Sequence, residues 1–154
     1  MAEVWAVPTW VFFHTIAARI NETFLKQNSN NILSIIKLIC ANLPCPYCRT
    51  HATTFMNAVT IEHINTKKRF IHFFFAFHNQ VNNRLHKPTY KEEDLEKYKR
   101  AQLDIIYKSF IYGFMKKYSR TLYAGTLSQD RIRHAAGRTV NQWVKKHWSS
   151  LQGF

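Results

Sequence analysis

Apolar residues recur along this chain at helical spacing. Trp10, Phe13, His14, Ala17 and Ala18 stand at i, i+3, i+4, i+7 and i+8, one face of a helix predicted over about Trp10 to Leu25 with Thr9 as its N-cap. Gln27 to Asn31 reads as a polar turn. A second helix, from about Asn31 to Ala41, carries Ile32, Ile35, Ile36 and Ile39 and stops ahead of Pro44. A third starts at Cys45 and Cys48 and runs to about Val59. The fourth, roughly Asn65 to Leu85, bears two stripes: Phe70, Phe73, Phe74, Phe77 and Val81 to pack, and Phe75, His78, Asn79 and Asn82 to line a polar pocket. Lys87 and Pro88 end it. Glu92 to about Lys117 reads as a fifth helix through Leu95, Tyr98, Ile105, Ile106, Phe110 and Phe114. The pattern breaks around Gly125 to Gln129, and a last helical segment is predicted from Ser128 to Trp148.

Composition agrees with an all-α fold. The 154 residues are 46% apolar and 15% aromatic, with only four Gly and four Pro, so there is material for a core and little for the many turns of a strand-rich fold. The length predicts one domain, at most with an appendage. Glu3 stands where a secretory signal would be basic, and no run of about 18 residues is free of charged or strongly polar side chains, so neither a signal peptide nor a membrane span is predicted. A soluble protein in a reducing compartment is the default, and the Asn21-Glu22-Thr23 glycosylation pattern is read as chance. The net charge of +13 would draw any polyanion, whether nucleic acid, acidic membrane or a phosphate-bearing cofactor. The basic residues are scattered, so charge alone supports no nucleic-acid site.

The three cysteines cannot form a disulfide scaffold under that default, and attention falls on the pair Cys45-Pro46-Tyr47-Cys48. If Cys45 caps a helix and Pro46 takes its first position, Cys48 lies in the first turn, where unpaired backbone N–H groups and the helix dipole favour a thiolate, and Arg49 adds positive charge. Spacing leaves three chemistries open: dithiol/disulfide exchange, a zinc site completed by His51 and a distant His63 or His78, and two inert thiols.

Three segments resemble the Erv/ALR family of FAD-linked sulfhydryl oxidases: Trp5 to Ala18 with its Trp5-Ala-Val-Pro-Thr-Trp10 start, Pro44-Cys-Pro-Tyr-Cys48, and Phe77-His-Asn-Gln-Val-Asn-Asn-Arg-Leu-His-Lys-Pro88. The likeness is nearest to the short members encoded by large cytoplasmic DNA viruses such as African swine fever virus. It covers about residues 5 to 98, which suggests an oxidase domain over 1–98 and a helical C-terminal extension over 99–154, packed on the same domain. The resemblance implies a four-helix bundle with a short fifth helix, holding FAD at its open end. Cys48 would lie against the flavin, with Cys45 as the exposed partner that meets substrate. It further implies that Trp10, His14, His78, Asn79 and Asn82 contact FAD, with Arg84 and Lys87 suited to its pyrophosphate. No metal is implied. The activity would be disulfide formation in protein dithiols at the expense of oxygen, giving hydrogen peroxide, in the host cytosol or virion if the viral likeness holds.

Departures from the family pattern are Ala6 for a Gly, Leu43 for an aromatic and Phe73 for a Trp. A shuttle pair of cysteines is missing, so a thioredoxin-like protein or a flexible Cys-x-x-Cys segment is the expected donor. Cys40 reads as a buried free thiol, with an intersubunit or resolving role as the minor alternative. Family members are usually homodimers, and the apolar side of the first two helices is either the dimer face or core. The rival from another class is a basic, zinc-stabilised, nucleic-acid-binding module using Cys45, Cys48, His51 and a further His.

Overall fold

The computed structural model describes residues 2–118 and 127–154, and among them every regular element is helical. Helix α1 (Ala2–Arg19) begins well before the expected N-cap and carries Pro8 in its interior. Thr9 sits within the helix, where its hydroxyl donates to the Trp5 carbonyl. Pro8 has no N–H to offer the Val4 carbonyl, and Gly113 lies against that same carbonyl, where a Cβ would collide with it. A proline that would normally stop a helix is thus accommodated at a close helix crossing.

The expected first helix ends early. Asn21 caps a separate α2 (Glu22–Gln27), its Oδ1 accepting the Phe24 N–H at 2.8 Å. Helix α3 (Ser29–Ala41) follows, then α4 (Pro46–Asn57), a 3-10 turn (Ile61–His63) and α5 (Lys67–Arg84), which Thr66 caps. The expected fifth helix is also divided. Glu92–Arg100 is 3-10, Ala101 and Gln102 are extended, and α6 covers Leu103–Met115. Leu95 and Tyr98, three residues apart, both bury against α1 beside Ala18, which suits three residues per turn. Arg19 fixes the junction by donating to the Ala101 carbonyl at 2.6 Å. Helix α7 (Leu127–Lys146) and a short α8 (Trp148–Leu151) complete the chain. The pattern break expected from Gly125 lies partly outside the described residues.

Helix α1 lies between α5 and α6, while α3 packs on α4 and α7. Phe13 stacks on Phe74 and Phe12 on Phe110, each at 4.6 Å, so one continuous core runs through both sides of α1. Leu103, Phe110, Val140 and Leu151 belong to that core. The apolar side of α1 and α3 is therefore core, filled by α6 and α7, and is not free to receive a second copy. Among the described residues no helix is long and apolar enough to cross a membrane.

Candidate functional site

The cysteine pair sits at the start of α4. Cys45 is the N-cap, Pro46 opens the helix, and the Cys45 sulfur accepts the Cys48 N–H at 3.2 Å. Both cysteines are free thiols here, and against the expectation that Cys45 is the exposed partner it is buried, 8% exposed, while Cys48 is half-buried. The expected preference of Cys48 for a thiolate is reversed in this dithiol state. Burial, a hydrogen bond with Cys45 and repulsion from its sulfur push the Cys48 thiol up to about 12, against the pull of the Arg84 guanidinium. Arg49 turns instead to the Leu43 carbonyl, at 2.8 Å, so the cation acting on Cys48 comes from α5.

Cys48 opens onto a cavity of about 340 Å³ between α1, α4 and α5. Trp10 and His78 form one wall as stacked rings, 4.0 Å apart and 2° from parallel. Phe77, Asn82, Arg84 and Lys87 contribute from α5 and the chain after it. That chain is bent back by the Lys87 N–H bonding the Asn82 carbonyl at 2.8 Å, with His86 in the left-handed region at φ 57°. Six of the predicted ligand residues, Trp10, Cys48, His78, Asn82, Arg84 and Lys87, are brought to this cavity.

His14 and Asn79 stand one layer back. The His14 Nε2 lies 2.9 Å from the His78 Nδ1, and Tyr98 stacks on His14 at 5.1 Å. Burial first, then the nearby positive charge of Lys97, lowers His14 to about 4; burial, His14 and Lys87 lower His78 to about 3. Both rings are neutral at pH 7, so one donates and the other accepts. Asn79 spends its side-chain amide on the backbone of Tyr90, receiving the N–H at 2.8 Å and donating to the carbonyl at 3.0 Å. The Tyr90 ring is thereby held 4.7 Å from His78, at the cavity edge.

Trp5, Tyr90 and Tyr98 also line the cavity and were missed. Trp5 carries a signal in retrospect: Trp5, Thr9 and Phe13 form an i, i+4 stripe that Pro8 concealed. Cys40 reaches the same cavity as a buried free thiol, pushed up to about 12 by burial.

Among the described residues, Trp5 Nε1 and Arg84 Nη1 are buried donors with no hydrogen-bond partner, both on residues of this cavity. Buried donors without acceptors are costly, and one of these is cationic. With the Trp10–His78 slab beside them, they fit a flat aromatic ligand bearing anionic or carbonyl oxygens. A zinc site is not favoured. Among the described residues no three His, Cys, Asp or Glu side chains cluster as metal ligands, and His51 packs edge-on against Tyr47 at 4.5 Å.

A model of the Erv1 / Alr family matches residues 7–102, more than half of the chain, and the chain belongs to that family. It is 31% identical over 111 residues to the FAD-linked sulfhydryl oxidase from a warthog isolate of African swine fever virus, covering 71% of this chain and 88% of that protein. A relative in Invertebrate iridescent virus 3, provisionally named a FAD-linked sulfhydryl oxidase, is 30% identical over 87 residues; the match covers 56% of this chain and 59% of the relative. No solved structure matches.

Proposed function

We propose that the chain is a FAD-linked sulfhydryl oxidase that makes disulfides in protein substrates, and that FAD occupies the cavity between α1, α4 and α5. The observation that carries this is the opening of Cys48, one member of a Cys-x-x-Cys pair, onto a cavity with a ring-stack wall and two unpartnered buried donors. Trp10 and His78 supply the flat wall, with His14 and Asn79 positioning His78 and Tyr90 from behind. Arg84 and Lys87 supply positive charge for phosphate or ring oxygens.

In the oxidised enzyme a substrate thiolate attacks the Cys45 sulfur, the Cys45–Cys48 bond breaks, and its electron pair leaves on Cys48. A second substrate thiolate attacks the substrate sulfur of the mixed disulfide and releases Cys45, leaving the substrate oxidised and the pair reduced. Arg84 stabilises the departing Cys48 thiolate, against the burial that opposes it. Bound FAD supplies a two-electron acceptor that oxygen regenerates, giving hydrogen peroxide. Cys45 is buried, so the turn bearing the exposed Tyr47 has to yield to the incoming thiol. Its work would lie in the host cytosol or the virion, forming bonds that the cytosolic thiol poise otherwise prevents. A homodimer belongs to this reading only on a surface other than the side of α1 and α3 that α6 and α7 fill.

Purified protein is expected to be yellow, to bleach with dithiothreitol and recover in air, and to consume oxygen. Colourless protein carrying stoichiometric zinc would refute it. Cys48→Ser is expected to accumulate a substrate mixed disulfide through Cys45, whereas equal trapping by Cys45→Ser would count against the two assigned roles.

A further inference from the structure

A second concavity, about 1060 Å³, lies on the other side of α5, between that helix and α4. Its α5 wall carries a stripe at i, i+4 spacing, Lys68, His72, Ala76, Gln80 and Arg84, flanked by Arg69 and Phe73. Phe55, Val59 and Phe73 give it an apolar floor, and Phe55 is fixed by stacking on Phe77 at 4.3 Å. Ala58 and Ala76 face it from the two helices and leave its middle open. The stripe runs from Lys68 to Arg84, about 24 Å at 1.5 Å per residue, the length of about seven residues of extended chain.

One end of this groove lies beside Tyr47, in the turn that carries the redox pair. His51 and Arg84 line that end; the His51 ring packs against Tyr47, and the Arg84 guanidinium lies 5.3 Å over the same tyrosine. Tyr47 is 62% exposed and lies between Cys45 and Cys48 in the chain. Arg84 lines both the groove and the first cavity. The groove's fixed charges are Lys68, Arg69 and Arg84 against Glu62 alone, so it is basic around an apolar floor. Such a surface suits an extended, acidic polypeptide with an apolar anchor better than duplex nucleic acid, whose phosphates would leave Phe55, Val59 and Phe73 unused.

We infer that the groove between α4 and α5 is the docking site for an acidic, extended, cysteine-bearing segment of the protein substrate, laid along α5 with its thiol at the Tyr47 end. This rests on the oxidase reading and names the substrate class for the same cysteine pair.

The test compares the wild-type holoenzyme with Ala76→Trp, which fills the groove, and Lys68→Glu, which reverses a charge at its far end. Each is assayed with a short Glu-rich peptide carrying a reduced Cys-x-x-Cys, with a Lys-rich counterpart, and with dithiothreitol. Both variants are expected to lose about tenfold or more in kcat/KM for the acidic peptide while oxidising dithiothreitol at the wild-type rate. Unchanged kcat/KM for the acidic peptide in both, or equal use of the acidic and basic peptides by wild type, would overturn the docking site. Failure to oxidise dithiothreitol would count against the oxidase reading alone. The groove is then still tested by fluorescence polarisation of the labelled acidic peptide with its cysteines replaced by serine. Binding weakened by Ala76→Trp supports the site, and no binding, or binding insensitive to Ala76→Trp, refutes it. A single-stranded oligonucleotide that Ala76→Trp displaces more strongly than the peptide would assign the groove to nucleic acid. A wild-type dimer that Ala76→Trp makes monomeric would assign it to a second copy.

Discussion

Two buried polar clusters in this molecule are built on opposite plans. Near the start of α7, Arg133 is 2% exposed and closed on all sides: it donates to the carbonyls of Phe114 and Lys116 and to Asp130 Oδ1, and stacks on Tyr118. Asp130 also receives the Tyr118 N–H, and the Tyr118 hydroxyl bonds the Gly113 carbonyl. Beside the cysteine pair, His14 and His78 satisfy each other as neutral rings, but Trp5 Nε1 and Arg84 Nη1, on two residues that line the cavity, have no hydrogen-bond partner. A closed cluster ties α6 to α7 and asks for nothing more. An open one is incomplete until a ligand supplies acceptors.

The contrast can be broken in several ways. The largest expected effect is on the closed cluster: Arg133→Ala removes the buried guanidinium that joins Asp130 to the Phe114 and Lys116 carbonyls and is expected to cost about 3–5 kcal/mol in urea unfolding. An Arg133→Ala protein as stable as wild type would show that the closed cluster carries no such weight. The histidines come next. Below the ordinary histidine value of about 6.5 the unfolded chain takes up protons, while folded His14 and His78 resist until about 4 and 3. Stability should therefore be full above pH 6.5 and fall as the solution is acidified through that window, by about 3 kcal/mol for His14 alone. A flat profile from pH 7 to 4 would mean the pair is not held neutral.

Smaller effects separate ligand binding from folding. Trp5→Phe removes an unpartnered donor, so ligand-free protein should lose under about 1 kcal/mol, while FAD retained on ultrafiltration falls. Arg84→Gln should weaken FAD retention about tenfold with little change in the melting temperature of ligand-free protein. If either substitution instead unfolds the protein and leaves FAD binding intact, the donors are structural. Least of all, Cys40→Ala should cost about 1 kcal/mol and leave dithiothreitol turnover unchanged. Loss of turnover there would bring Cys40 into the exchange.

Much of this was legible in the chain because α5 carries its two tasks on separate stripes: the phenylalanines that pack and the His78 side that lines the cavity differ by one helical step. Less legible was anything that depended on a long-range partner. Thr9 looked like an N-cap because nothing local reveals that Gly113 would leave room for α1 to pass through Pro8. Arg49 looked like the cation beside Cys48 because it is adjacent in sequence, yet Arg84 fills that place from another helix. The division of residues 92–115 into a 3-10 segment and α6 turns on Leu95, Tyr98 and Arg19 meeting across the chain. Asn79 fell on the predicted polar stripe, but only the fold shows that its amide is already taken by Tyr90.

The packing of α6 and α7 over α1 and α3 has a consequence for dilution. Contacts between separate molecules dissolve as concentration falls, whereas those made by a chain with its own tail do not. The core around Phe12 and Ile36 is completed within one polypeptide, by residues of α6 and α7. A chain cut at residue 102, where the match to the family ends, would keep every residue of the cysteine pair and the cavity and yet bare that face to water.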